Sequence, residues 1–125
     1  MPMQSHKNIA REFLEMASSG RVREAYEKYV SADFFHHNAY FKGDRETLLT
    51  GMEESDKKFP GKICQIKRQL EDADLVATHS RIKLAPDKPD MAVVHIIRFA
   101  GNKIVEMWDV AQEIPKDSPN ENGVF

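Results

Sequence analysis

The chain reads as an α+β domain on three observations. Three amphipathic helical segments come first, four strand-like segments joined by short polar turns follow, and one of those strands, Met91 to Phe99, is apolar on both sides. Helices that precede an antiparallel meander can cover only one face of the sheet. The second apolar side of Met91 to Phe99 therefore needs another cover, and a homodimer formed through the back of the sheet, with Trp108 near its interface, is the expected arrangement.

The elements follow from local chemistry. From Ser5 to Ser19, Ile9, Phe13, Met16 and Ala17 recur at helical spacing, with Ser5 placed to cap the start and Gly20 the end. A second helix is expected over Val22 to Val30, with Val22, Ala25, Tyr26, Tyr29 and Val30 as its buried stripe. Ala32 to Tyr40 breaks the helical period and is rich in aromatics, which suggests a short extended segment. Its neighbours His36 and His37 must point opposite ways, so at most one of them can face a given pocket. Asp44 caps a third helix that carries Leu48, Leu49 and Met52 and runs to about Lys58, where Pro60-Gly61 stops it. Strands are then expected at Ile63 to Leu70, Leu75 to Leu84, Met91 to Phe99 and Lys103 to Glu113. Residues 1–125 form one domain, with 114–125 as a tail that wraps the surface through Val124 and Phe125.

Composition narrows the function classes. The net charge is −2 and Lys, Arg, Asp and Glu are mixed, with no basic stripe, so nucleic acid is not an expected partner. Neither a signal-peptide core in MPMQSHKNIA nor a bilayer-length apolar run is seen, so a cytoplasmic protein with no membrane partner is expected. Cys64 is the single cysteine, flanked by Ile63 and close to Ile66, and reads as a small core residue.

Chemistry concentrates on Lys103 to Gln112. Val105, Met107, Asp109 and Ala111 alternate onto one side of this strand, so Asp109 is a carboxylate on a face otherwise suited to a core, and it needs a partner there. If Ala100, Gly101 and Asn102 form a three-residue loop with Asn102 left-handed, Phe99 pairs with Lys103 and His95 stands opposite Met107. Asp109 is then one diagonal step from His95 on the same face. A two-residue loop would turn the two groups to opposite faces. An imidazole and a carboxylate sharing an apolar concavity are candidates for general acid and base work, and the alternative is a pair that only holds the sheet. His37 with Asn38, and His79 on the second strand, could add polar groups to the same cavity, with Phe13, Tyr26, Phe34 and Met52 as apolar lining. No close-spaced ligand motif such as HExxH or HxH exists, so no metal and no cofactor are expected.

The segments FFHHNAYFKG, LVATHSR, MAVVHIIRFAGNKIVEMWDV and NENGVF resemble the SnoaL-like branch of the nuclear transport factor 2 superfamily, in particular members regarded as aldol-condensation-catalysing enzymes. The resemblance covers nearly the whole chain and is most specific in the final hairpin with its Trp-Asp. It implies a cone in which three N-terminal helices pack in a curved, mostly antiparallel sheet that encloses a pocket, usually in a dimer formed through the sheet. It also implies polyketide cyclase-like catalysis in which Asp109 is the acid/base and His95 assists, and it matches His37 and Asn38 to a His-Asn pair near the pocket. The chain departs from its closer relatives at His95, where they carry an acidic residue. The expected ligand is a small hydrophobic or carbonyl-containing molecule, cyclised or isomerised without a cofactor. The alternative is a noncatalytic dimeric ligand-binding module of the same fold.

Overall fold

A computed structural model describes residues 4–125. Helix α1 spans His6–Ser18, and the Ser5 hydroxyl oxygen accepts the Asn8 N–H at 3.2 Å, a cap worth about 1 kcal/mol. The Ser19 and Arg21 N–H groups both return to the Met16 carbonyl, which ends the helix at Gly20. Helix α2 covers Val22–Tyr29 and passes straight into strand β1, Val30–His36. Val30 thus opens a strand rather than closing a helix, and the extended segment begins and ends a few residues before the expected Ala32 to Tyr40. A β-branched residue at this boundary gains more from pairing with Ile104 than from a last helical turn. Helix α3, Arg45–Lys58, is capped by the Asp44 carboxylate, which accepts the Thr47 N–H at 3.0 Å.

Strands β2 (Ile63–Asp72), β3 (Leu75–Lys83), β4 (Met91–Ala100) and β5 (Lys103–Glu113) complete one sheet in the order β1-β5-β4-β3-β2. All pairs are antiparallel except β1 with β5, which is parallel. One face of the sheet packs on the helices: Val76, Ile97, Phe99, Ile104 and Met107 join Ile9, Phe13, Tyr26 and Leu49 in a continuous core. Tyr26 and Phe13 are wholly buried, each contributing about 2–3 kcal/mol by leaving water.

The β4–β5 hairpin departs from the expected register in two places. Ala100 pairs with Lys103, so the loop is the two residues Gly101-Asn102, and Gly101 rather than Asn102 is left-handed, with φ +60°. Glycine at the first central position is the type II′ pattern, which closes a tighter turn than a left-handed Asn102 would. Alone, this turn would put His95 opposite Trp108. A bulge restores parity: Phe99 pairs with Ile104 but Arg98 pairs with Glu106, leaving Val105 unmatched, so that His95 stands directly opposite Asp109. The same bulge carries Ile104 onto the core side, where it is fully buried together with Met107. Strict alternation would have separated the two.

Past Pro115 the tail returns over the opposite face of the sheet. The Phe125 ring lies 5.1 Å from that of His79, and Lys67 and Arg81 stand over it at 5.4 and 5.9 Å.

Candidate active site

The inner face beyond the core is built from three neighbouring strands. Val76, Thr78 and Ser80 of β3 are buried opposite Ile97, His95 and Val93 of β4, and His95 in turn faces Asp109 of β5. Cross-strand partners of this kind hold their Cβ atoms about 5 Å apart.

His95 is half-buried, and its Nδ1 is enclosed with no hydrogen-bond partner among the described residues. Loss of solvent pushes its pKa below the usual 6.5, and the Asp109 carboxylate pulls it partly back. The imidazole is therefore neutral at pH 7. Asp109 is also half-buried, and its Oδ2 accepts a hydrogen bond from Asn38 Nδ2 at 2.8 Å. The Asn38 amide cannot be reversed, because its Oδ1 accepts the Tyr40 N–H at 2.9 Å. Among the described residues no protein donor reaches Asp109 Oδ1.

Behind this pair stands Tyr26. Its hydroxyl donates to the thioether of Met52 at 3.3 Å. Burial raises the phenol pKa well above its ordinary value, Arg45 opposes the rise, and Asp109 adds to it, so Tyr26 stays protonated. Phe34 meets the Tyr26 ring edge-on at 6.1 Å, and Phe13 lies 5.5 Å away on its other side. Arg45 holds this wall by donating to the Ser31 and Tyr26 carbonyl oxygens while its guanidinium lies 5.4 Å from the Tyr26 ring centre.

Two expected site residues are elsewhere. His37 follows the end of β1 and turns to the outer face, where it stacks on Trp108 at 5.0 Å and bonds Glu106 at 2.7 Å. Glu106 also accepts from Arg98 at 2.8 Å; desolvation pushes its carboxyl up, but the hydrogen bonds from His37 and Arg98 outweigh this and hold it below the usual range. His79 is opposite Val94, contacts Arg68 and lies against Phe125, again on the outer face. Of the residues named from sequence, Asp109, His95, Asn38, Tyr26, Met52, Phe34 and Phe13 are on the inner side, and His37 and His79 are not. Among the described residues no three His, Cys, Asp or Glu side chains converge as a metal site would require.

His36, to which the sequence attached no role, is buried and accepts the Asn38 N–H. Its signal was parity: it is two residues from Phe34 and so shares that residue's face.

No family model matches the chain, and no curated protein matches it. Solved structures do. AclR from Streptomyces galilaeus, described as a candidate hydroxylase, superposes with a TM-score of 0.74 at 20% identity over 86% of this chain and 88% of its own. IdmH from Streptomyces antibioticus, described as a candidate polyketide cyclase, gives 0.73 at 19% identity, over 87% and 93%. A candidate SnoaL-like polyketide cyclase from Shewanella putrefaciens gives 0.69 at 12% identity, over 87% and 80%. At such identities the likeness speaks for the fold, and it agrees with the resemblance read in the sequence. This chain therefore has the nuclear transport factor 2-like fold, the fold of the SnoaL-like polyketide cyclases.

Proposed function

We propose that the protein is a SnoaL-like enzyme that acts by acid/base catalysis on a small carbonyl compound, in an aldol-type cyclisation or an isomerisation. The observation that carries this reading is the cross-strand pairing, on one face of the sheet, of a carboxylate whose Oδ1 has no donor among the described residues with a neutral imidazole. Asp109 Oδ1 takes a proton from carbon next to the carbonyl, and the C–H electron pair moves into the enolate. His95 donates a hydrogen bond to the developing oxyanion, using Nε2–H because Nδ1 is enclosed. Tyr26, Phe34 and Met52 supply an apolar wall that keeps water from the enolate. His37, on the far side of the sheet, takes no part.

The test is exchange of carbon-bound hydrogen for deuterium in heavy water, followed by proton NMR across a panel of 1,3-dicarbonyl compounds. Asp109→Asn should lower the catalysed rate by about 10² to 10⁴-fold. Unchanged exchange in that variant would remove Asp109 from the mechanism.

The reading includes a homodimer through the outer face, because Val110 is 68% exposed and Phe35 42%, beside half-buried Val94, Ile96 and Trp108. Val110→Lys should shift the mass in solution to that of a monomer. The lone Cys64 suits a reducing compartment, hence a cytoplasmic location. A binding module that recognises the same ligand without transforming it is the second reading. It is favoured by the bond that already engages Asp109 Oδ2, and it predicts tight binding with no exchange.

A further inference from the structure

His36 closes β1 with its imidazole 5% exposed and engaged at both nitrogens. Nε2 lies 2.8 Å from the Lys42 carbonyl oxygen, and Nδ1 lies 3.0 Å from the Asn38 backbone nitrogen. A carbonyl can only accept and a backbone N–H can only donate. The ring must then carry its proton on Nε2 and a lone pair on Nδ1, so a neutral imidazole of one tautomer bridges the two ends of the loop 37–42. The main chain repeats the closure, with the His36 N–H donating to the Gly43 carbonyl at 3.2 Å.

That loop has one job visible in the site. Closing it sets the Asn38 side chain, whose Oδ1 is taken by Tyr40 N–H and whose Nδ2 points at Asp109 Oδ2. Phe34, stacked on the His36 ring at 6.2 Å, ties the imidazole to the wall that also carries Tyr26. Loop, amide and carboxylate are thus in series, with His36 at the start.

We propose that His36 is a positioning residue for Asp109: through the loop it aims the Asn38 amide at Oδ2 and leaves Oδ1 facing the substrate. The proposal rests on the reading of Asp109 as the base, and it deepens that reading by assigning the residue that orients it. Only a side chain with one donor and one acceptor at this spacing can serve. Phenylalanine would keep the ring and lose both bonds, whereas glutamine would keep both bonds and lose the ring.

The experiment uses the intact labelled protein at neutral pH and needs no substrate. Long-range proton–nitrogen spectra should show His36 protonated on Nε2 and bare on Nδ1. In His36→Phe the Asn38 Nδ2 protons should exchange with solvent about tenfold faster or more, the expected cost of losing a well-made hydrogen bond. His36→Gln should restore slow exchange. An Nδ1–H or doubly protonated ring, unchanged Asn38 exchange in His36→Phe, or a folded His36→Gln that behaves like His36→Phe would each overturn the proposal. Should His36→Phe fail to fold, the wild-type tautomer and the glutamine variant still decide it. These readouts do not depend on turnover, so a failure of the acid/base reading is recognised separately, by the deuterium exchange of Asp109→Asn.

Discussion

Replacing His95 by Met separates stability from function in a way that no bland core residue would. Its enclosed Nδ1 has no partner among the described residues, and a buried polar atom left unpaired costs about 1–3 kcal/mol. Methionine is unbranched, of similar reach, and carries no such atom. At pH 7.5, His95→Met should therefore be more stable than the wild type by about 1–2 kcal/mol, even with some packing lost. The gap should widen in acid. Burial holds the folded-state pKa of His95 below its unfolded value of about 6.5, so below pH 6.5 the unfolded chain binds the extra proton. The stability due to the neutral ring is complete above pH 6.5 and falls as pH drops toward the folded-state pKa, by at most about 1.4 kcal/mol per pH unit. Urea unfolding of both proteins at several pH values between 7.5 and 5 measures each effect. A less stable His95→Met with the same pH slope as the wild type would mean that the imidazole is satisfied where it sits.

Ala73 stands at φ +54° in the β2–β3 turn, a left-handed conformation that costs a non-glycine residue about 1 kcal/mol, so Ala73→Gly should raise the melting temperature by a few degrees in a thermal scan. Glu12 has its pKa lowered to about 2, chiefly by the Tyr29 hydroxyl and then by Lys28, so its contribution is whole above pH 4.5 and lost as pH falls toward 2. Glu12→Gln should flatten that acid limb in a pH-dependent unfolding series. Gly51 lets Phe41 seat on α3, where a Cβ would come within 2.4 Å of the ring, so Gly51→Ala should push Phe41 outward and speed hydrogen exchange in residues 37–42, with little change in global stability.

Much of this molecule is local chemistry, and the sequence carries local chemistry well. Ser5 and Asp44 cap helices because their side chains reach their own backbone, and apolar spacing marks the buried stripes of α1 and α2. The SnoaL-like fold was legible only through the resemblance that the final hairpin and its Trp-Asp carry, not through local propensity. What was hidden depends on pairing between distant segments. The parallel contact of β1 with β5 leaves no mark in either strand, and it determines that His36, not its neighbour His37, faces inward. His79 could be put outside only once β3 was registered on β4. His95 and Asp109 do share a face, but by a different route: a two-residue turn that would have parted them, corrected by the unmatched Val105. A bulge adds one residue without a composition signal, so alternation counted along β5 could not reveal it.

A carboxylate oxygen of Asp109 and an imidazole N–H of His95 are proposed to converge on one carbonyl compound at the inner face of the sheet. A crystal structure with the enol form of a 1,3-diketone bound addresses it directly. One diketone oxygen should lie within hydrogen-bond distance of His95 Nε2, with the central carbon facing Asp109 Oδ1 against Tyr26 and Met52. A diketone held on the outer face beside Trp108, or an Asp109 carboxylate turned wholly into protein hydrogen bonds, would contradict it.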